Sequence, residues 1–228
     1  MLDAAERCHR TLMMATKFRF VDDTMRAREL IANGTIGRAT FYSNSFCSKV
    51  DMASRWNAEL SVAGGGVVID NGTHSIDLAR FLIGPIARVS ATFGPRIQPL
   101  DVEDSAVITF ETAELALGRI ELSWSIDKPT EHYVEIHGTG GTLQIGWKSS
   151  RYRSDQDSDG GWREFGSGYD KRSAFAVQLE HFAAVARGET EPLVTPRDAL
   201  ASVRIVEAAY RAAHDRTWET LSPVEPVA

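Results

Sequence analysis

The chain has 228 residues, 43% hydrophobic, 9% aromatic and 25% charged, which is the composition of a globular protein and excludes the disordered and fibrous classes. Its 25 Lys+Arg against 31 Asp+Glu give a net charge of −6 with the basic residues scattered, an argument against a nucleic-acid partner. No apolar run approaches the roughly 18 residues of a membrane span, and the opening Met-Leu-Asp-Ala-Ala-Glu has neither the basic start nor the apolar stretch of a signal peptide, so no membrane partner and a cytoplasmic location are expected.

Residues 2 to 9 read as the last turns of a helix, and Thr11 to Ala15 as a short strand apolar on both faces, the pattern of a strand covered on both sides. Asp22 to Gly34 reads as a helix: Asp22, Asp23 or Thr24 caps it, Met25, Leu30 and Ile31 form its apolar stripe, and Gly34 takes the left-handed stop. A strand is predicted over Arg38 to Val50, leading into a polar loop around Arg55, Trp56 and Asn57. Gly64-Gly65-Gly66 then opens a helix that Gly84 closes, with Gly72 loosening one turn at a cost of about 1 kcal/mol relative to Ala. Cys8 and Cys47 have no metal-ligand spacing and suggest a reducing compartment.

After Pro85 the reading is β almost throughout. Strands are predicted over Ala87 to Gly94, Ser105 to Glu111, Leu115 to Asp127, His132 to His137, Thr142 to Trp147 and, weakly, Trp162 to Phe165. Alternation in Ser105 to Phe110 and in Arg119 to Trp124 implies antiparallel strands with one face buried. Ser149 to Gly168, dense in Ser, Asp and Gly, reads as a loop or a poorly ordered excursion. Two helices follow, one over Lys171 to Arg187 and one opening at Thr195-Pro196-Arg197-Asp198, where Thr195 caps, Pro196 is the first helical residue and Asp198 completes the box. The pattern predicts an α+β fold, a large mostly antiparallel sheet with helices packed on one face.

Asp70, His74 and Asp77 stand at i, i+4 and i+7, within an arc of roughly 60° on one side of a regular helix. A carboxylate one turn from a His fixes its tautomer and raises its basicity, which suits a general base; the same spacing suits two ligands of a divalent metal, or a solvent-exposed pair with no chemical role. The glycines would let backbone approach a ligand, or simply make a tight turn. His132 and His137, offset by five in a strand, point to opposite faces. Gly138 to Gly141 joins two strands and reads as a hairpin turn rather than a phosphate loop. Asp101, Glu103 and Asp104 read as a solvated acidic loop. Arg55 and Trp56 line a polar site or lie in a surface loop.

The segment Gly64 to Gly84 resembles the substrate-domain motif of the Gfo/Idh/MocA family of NAD(P)-dependent oxidoreductases. Further matches are Arg19-Phe20 ahead of a helix, Gly34-Thr-Ile-Gly37 before a strand, Glu135-Ile-His-Gly-Thr-Gly-Gly-Thr-Leu143, Glu180-His-Phe182, and Ala199 to Ala209. The resemblance implies a C-terminal domain, residues 17–228, whose open sheet face mediates dimer or tetramer assembly, and a sugar or polyol substrate. It implies that His74 exchanges a proton with a substrate hydroxyl, that Asp70 is its partner, that Asp77 helps fix the helix or the site, and that Asp77, Arg55, Trp56 and Lys17 are candidates to line the substrate. Lys17 stands where the family has an Asn or His.

The sequence departs from the family in two respects. It has no Gly-x-Gly-x-x-Gly before a helix, and the family's Glu-Lys-Pro motif with its catalytic lysine is missing; Asp127-Lys128-Pro129 copies its letters between two strands and reads as a turn. Residues 1–16 then resemble the last helix and strand of a Rossmann domain that is otherwise absent, and Thr11 to Ala15 is expected to be displaced, exchanged or disordered. The expectation is a dehydrogenase acting on CH–OH groups that holds no cofactor in this chain alone, NAD or NADP being implied for the full-length family. The portion is expected to be inactive by itself. A stand-alone binding or assembly subunit, partnered by a separately encoded Rossmann protein, is the competing expectation, and a metal-dependent lyase or isomerase using Asp70 and His74 a third.

Overall fold

The structure, a computed structural model, describes residues 1–222. Alternating burial builds a sheet of nine strands among those residues: β1 (Ala39–Cys47), β2 (Ile86–Phe93), β3 (Ser105–Thr112), β4 (Leu117–Ser123), β5 (His132–Gly138), β6 (Gly141–Gly146), β7 (Ser150–Ser154), β8 (Arg163–Gly166) and β9 (Glu219–Thr220). Their order is β8-β7-β6-β5-β1-β4-β3-β2-β9, antiparallel except for the parallel pair β1 and β4. Ala106, Ile108 and Phe110 of β3 are buried with only partly exposed residues between them, the one-sided pattern that the sequence predicts.

The helices are α1 (Leu2–Arg7), α2 (Asp22–Ala32), α3 (Leu60–Ala63), α4 (Thr73–Ile83), α5 (Lys171–Ala186) and α6 (Pro196–Asp215). Helix α6 packs along β2, α4 against β1 and β4, and α2 against β6, so the core lies between these helices and the sheet. Ile76 and Leu78 of α4 and Ile205 and Ala209 of α6 meet Val89, Ile108 and Ile120 of the sheet there. Each of these Ile, Leu and Val side chains contributes about 1.5–3 kcal/mol by leaving water. The α+β expectation is met. No described helix is long and apolar enough to cross a membrane.

Several predicted elements change. Thr11 to Ala15 forms no strand, because no chain among the described residues pairs with its edge. Helix α2 has no side-chain cap; its N-cap is Val21, and Asp23 is instead fully buried. Asp23 accepts hydrogen bonds from Ser150 Oγ and from the backbone N–H groups of Ser167 and Gly168, at 3.1 and 2.8 Å for the latter two. That carboxylate helps hold the stretch read as a loop, Ser149 to Gly168, which contains β7 and β8. The parity argument for His132 and His137 fails because β5 is irregular between His132 and Val134. Both rings reach the same carboxylate, Glu135, at 2.7 and 2.9 Å. Helix α6 starts as predicted, with Thr195 and Asp198 forming a reciprocal capping box behind Pro196. The C-terminal boundary of the expected 17–228 domain lies outside the described residues.

Candidate functional site

The glycine-rich segment enters its helix through a wide turn. Val68–Gly72 is π-helical and runs directly into α4, so Asp70 sits in the π turn and His74 in the first regular turn. Such insertions recur at functional sites because they re-aim side chains. Here Gly72, buried against Leu122, lies at the point where the sequence predicts a loosened turn. Thr73 Oγ1 and Ser75 Oγ donate to the carbonyls of Ile69 and Asn71, at 2.6 and 3.2 Å, and satisfy acceptors in the disturbed turn.

The start of this segment is clamped. Glu103, read from sequence as part of a solvated loop, is buried, and its carboxylate accepts from the N–H groups of Gly66 and Val68 at 3.0 Å and from Tyr210 Oη at 2.6 Å. Asp104 is buried as well, accepting from Ile97 N, Gln98 N and Ser125 Oγ. Glu103 and Asp104 are structural rather than solvated because N–H groups point at them, whereas Asp101 is exposed as expected. A Cβ on Gly66 would lie 2.0 Å from the Glu103 carbonyl oxygen. Gly66→Ala is therefore expected to lower stability by about 1–3 kcal/mol, the range for an overpacked site, with a fall in the urea midpoint as the measurement.

Lys17 and Arg19 come from the 3-10 turn Lys17–Phe20. Arg19, 3% exposed, clasps Asp77 in a two-pronged pair, Nε to Oδ2 at 2.9 Å and Nη2 to Oδ1 at 2.7 Å. Its Nη1 reaches the Leu193 carbonyl at 2.9 Å and Asp198 Oδ2 at 3.3 Å. Asp77 is 1% exposed, with both carboxylate oxygens on Arg19. The pair anchors the turn to α4. Because His74 and Asp77 share one face of α4, this anchor brings Lys17 beside His74, with Nζ 3.4 Å from Nε2.

An ammonium only donates, so Nε2 accepts and the ring proton of His74 resides on Nδ1. That Nδ1 is buried with no partner among the described residues. Burial, and then the Lys17 charge, lower the His74 imidazole to about 4. At neutral pH it is an uncharged base. Burial and then Lys171 lower the Lys17 ammonium, with Asp70 opposing them. Burial raises Asp70 against the pull of Lys17, Arg55 and a hydrogen bond from Asn57 Nδ2 at 3.3 Å.

The structure thus brings together Lys17, Asp70 and His74, with Arg55 close enough for its charge to act on Asp70. Trp56 is 69% exposed at the rim of the same turn. Asn57, named in the sequence only as part of the loop, touches Asp70. The Asp127-Lys128-Pro129 mimic lies away from the site, with Lys128 paired to Glu121. No group of three or more His, Cys, Asp or Glu among the described residues is placed to hold a metal ion, so the spacing of Asp70 and His74 gains no third ligand.

A family model described as the GFO/IDH/MocA C-terminal domain matches residues 24–144. The D-apiose dehydrogenase of Paraburkholderia graminis is 27% identical over 97% of this chain and 62% of its own length. The enzyme named D-xylose 1-dehydrogenase (NADP(+)) 2 of Haloferax volcanii is 29% identical over 92% of this chain and 65% of its own. The chain thus spans less than two thirds of these relatives. Among solved structures, the aldose-aldose oxidoreductase from Caulobacter crescentus complexed with glycerol superposes with a TM-score of 0.84 at 22% identity, over 96% of this chain and 67% of that one. That likeness is one of fold.

Proposed function

The chain belongs to the GFO/IDH/MocA family through its C-terminal domain, and on that premise we propose that it is the substrate-binding and oligomerisation portion of an NAD(P)-dependent sugar or polyol oxidoreductase. One observation carries the reading: the uncharged imidazole of His74, one turn after Asp70 in the same helical segment, stands next to the ammonium of Lys17. The 3.4 Å contact is at the long end for a hydrogen bond, and a substrate hydroxyl displaces it readily. His74 Nε2 then accepts the hydroxyl proton, Lys17 donates to the same oxygen, and Asp70, steadied by Asn57, accepts from a neighbouring hydroxyl.

The residues present do not fit a dinucleotide. At the first glycine run the N–H groups of Gly66, Val67 and Val68 are all taken by Glu103. Its carboxylate fills the place that a pyrophosphate would need. At the second run, Thr139 N and Gly140 N, in the β5–β6 hairpin, donate to the Arg38 and Ile36 carbonyls just ahead of β1. In this reading the nicotinamide, which supplies hydride chemistry when bound, is held outside these 228 residues, and the chain alone is inactive. Helix α1 buries none of its residues, and Met13 and Met14 are only partly covered, which supports residues 1–16 as the edge of such a cofactor domain. Assembly through the open sheet face is part of the proposal: Phe41 and Leu117, register partners on β1 and β4, are 56% and 46% exposed.

Calorimetry on the purified chain tests the cofactor assignment. No heat is expected from NAD(H) or NADP(H) at millimolar concentration; micromolar binding of either by this chain alone overturns the assignment.

A further inference from the structure

One cation, Lys17, lies against His74, and two more from separate elements act on its neighbours. Lys17 comes from the first 3-10 turn, Arg55 from the residue before the turn Trp56–Ala58, and Lys171 from the first position of α5. Lys17 Nζ lies 3.4 Å from His74 Nε2, 4.6 Å from the centre of the Phe18 ring and 5.9 Å from that of Phe175 on α5. Lys171 acts on the Lys17 charge, and Arg55 acts on that of Asp70. None of the three has a carboxylate within 4 Å among the described residues.

Arg55 and Lys171 are exposed, but Lys17 is largely covered, and that is not how the chain treats its other largely buried cations. Arg19 and Arg80 are both paired, with Asp77 and Asp198. The nearby carboxylates do not balance the cluster either. Asp70 is a single charge already bonded to Asn57, and Asp170 is committed to the α5 N-terminus through the N–H groups of Arg172 and Ser173. The rings of Phe18 and Phe175 flank the Lys17 ammonium without neutralising it. A half-buried ammonium with no carboxylate in contact is costly, and a ligand of opposite charge lowers that cost.

We propose that the site beside His74 takes a sugar acid, an aldonate or uronate whose carboxylate is met by Lys17 with Arg55 and Lys171 around it, rather than a neutral sugar. This rests on the reading of the site as a polyol site and narrows its substrate class. The long-range field of the three cations also draws an anion in, so binding weakens as salt is raised.

The test is a titration of the 228-residue chain with D-gluconate and with D-glucitol, which share a carbon chain and differ in a terminal carboxylate against a hydroxymethyl. The His74 ring signals in the NMR spectrum are the readout. Gluconate is expected to bind about tenfold or more tightly than glucitol, as a charge-assisted contact requires. Lys17→Met is expected to remove that preference and Lys17→Arg to keep it, each variant first being shown to retain the native amide spectrum. Glucitol binding as tightly as gluconate, or a preference unchanged in Lys17→Met, overturns the sugar-acid assignment and leaves the polyol reading standing. No response of His74 to either ligand overturns both.

Discussion

Replacing Arg19 by Met is expected to lower folding stability by about 3–5 kcal/mol, the loss typical of removing one partner from a buried ion pair. The Asp77 side chain is 2% exposed and has both oxygens on Arg19, so the variant leaves a carboxylate in the core with no hydrogen-bonded partner and only the more distant charge of Arg80 near it. Water cannot take over without opening the contact between α4 and the turn that carries Lys17. The Leu193 carbonyl and Asp198, held by the same guanidinium, lose a donor at the same time. Urea denaturation measures the loss, with the shift in midpoint at unchanged slope as the readout. The double variant Arg19→Met with Asp77→Leu is expected to recover most of it, since removing both charges abolishes the orphaned carboxylate. A single variant within 1 kcal/mol of the parent contradicts the claim that this pair fixes the site. Arg88→Met is the control: its pair with Glu111 is 46% exposed on the arginine side, and exposed pairs are worth about 1 kcal/mol or less.

The parts of this fold legible in the sequence were those that local chemistry decides. Period-two alternation placed β3 and β4, and the Thr195, Pro196 and Asp198 triplet placed the start of α6, because the strand pattern and the cap are satisfied within a few residues. The strong glycine signal likewise located the segment that carries Asp70 and His74. What was not legible depended on partners far along the chain. Glu103 and Asp104 look like solvated acids in a turn, and nothing local shows that Gly66, Val68 and Tyr210 aim donors at the first of them. Asp23 looks like a helix cap, yet its partners are Ser150, Ser167 and Gly168, over a hundred residues away. The i, i+4, i+7 argument assumed a regular helix. The π turn over Val68–Gly72 breaks that assumption, and Asp77 faces Arg19 while Asp70 faces Asn57. Lys17 was the residue hardest to weigh, since its closeness to His74 follows from the Arg19–Asp77 pair and from no spacing in the sequence.

The buried imidazole gives the second large effect, on the acid side of neutrality. His74 is lowered to about 4, by burial first and by Lys17 second, against about 6.5 in an unfolded chain. Between those values the unfolded chain binds a proton that the folded chain refuses, so stability rises with pH across the interval. The contribution is complete above 6.5 and is lost as pH falls towards 4. It amounts to about 2 kcal/mol by pH 5 and about 3 kcal/mol near pH 4. Other shifted groups in the fold act elsewhere or with opposite sign. Burial raises Asp70, so its contribution is lost as pH climbs from 3.8, against the slope of His74. Burial opposes it, but hydrogen bonds hold Asp104 and charge pairing with Arg19 holds Asp198 below the ordinary range, and both act at lower pH. Lys17 is lowered from 10.5 and acts on the alkaline side. The informative quantity is therefore the difference between the parent and His74→Leu, measured by urea denaturation from pH 4.5 to 7.5. The parent is expected to lose about 2.5 kcal/mol more than the variant over that range, because leucine has no proton to bind. Parallel stability curves would show that His74 titrates alike in both states, and the uncharged base on which the proton transfer depends would then not be a property of this fold.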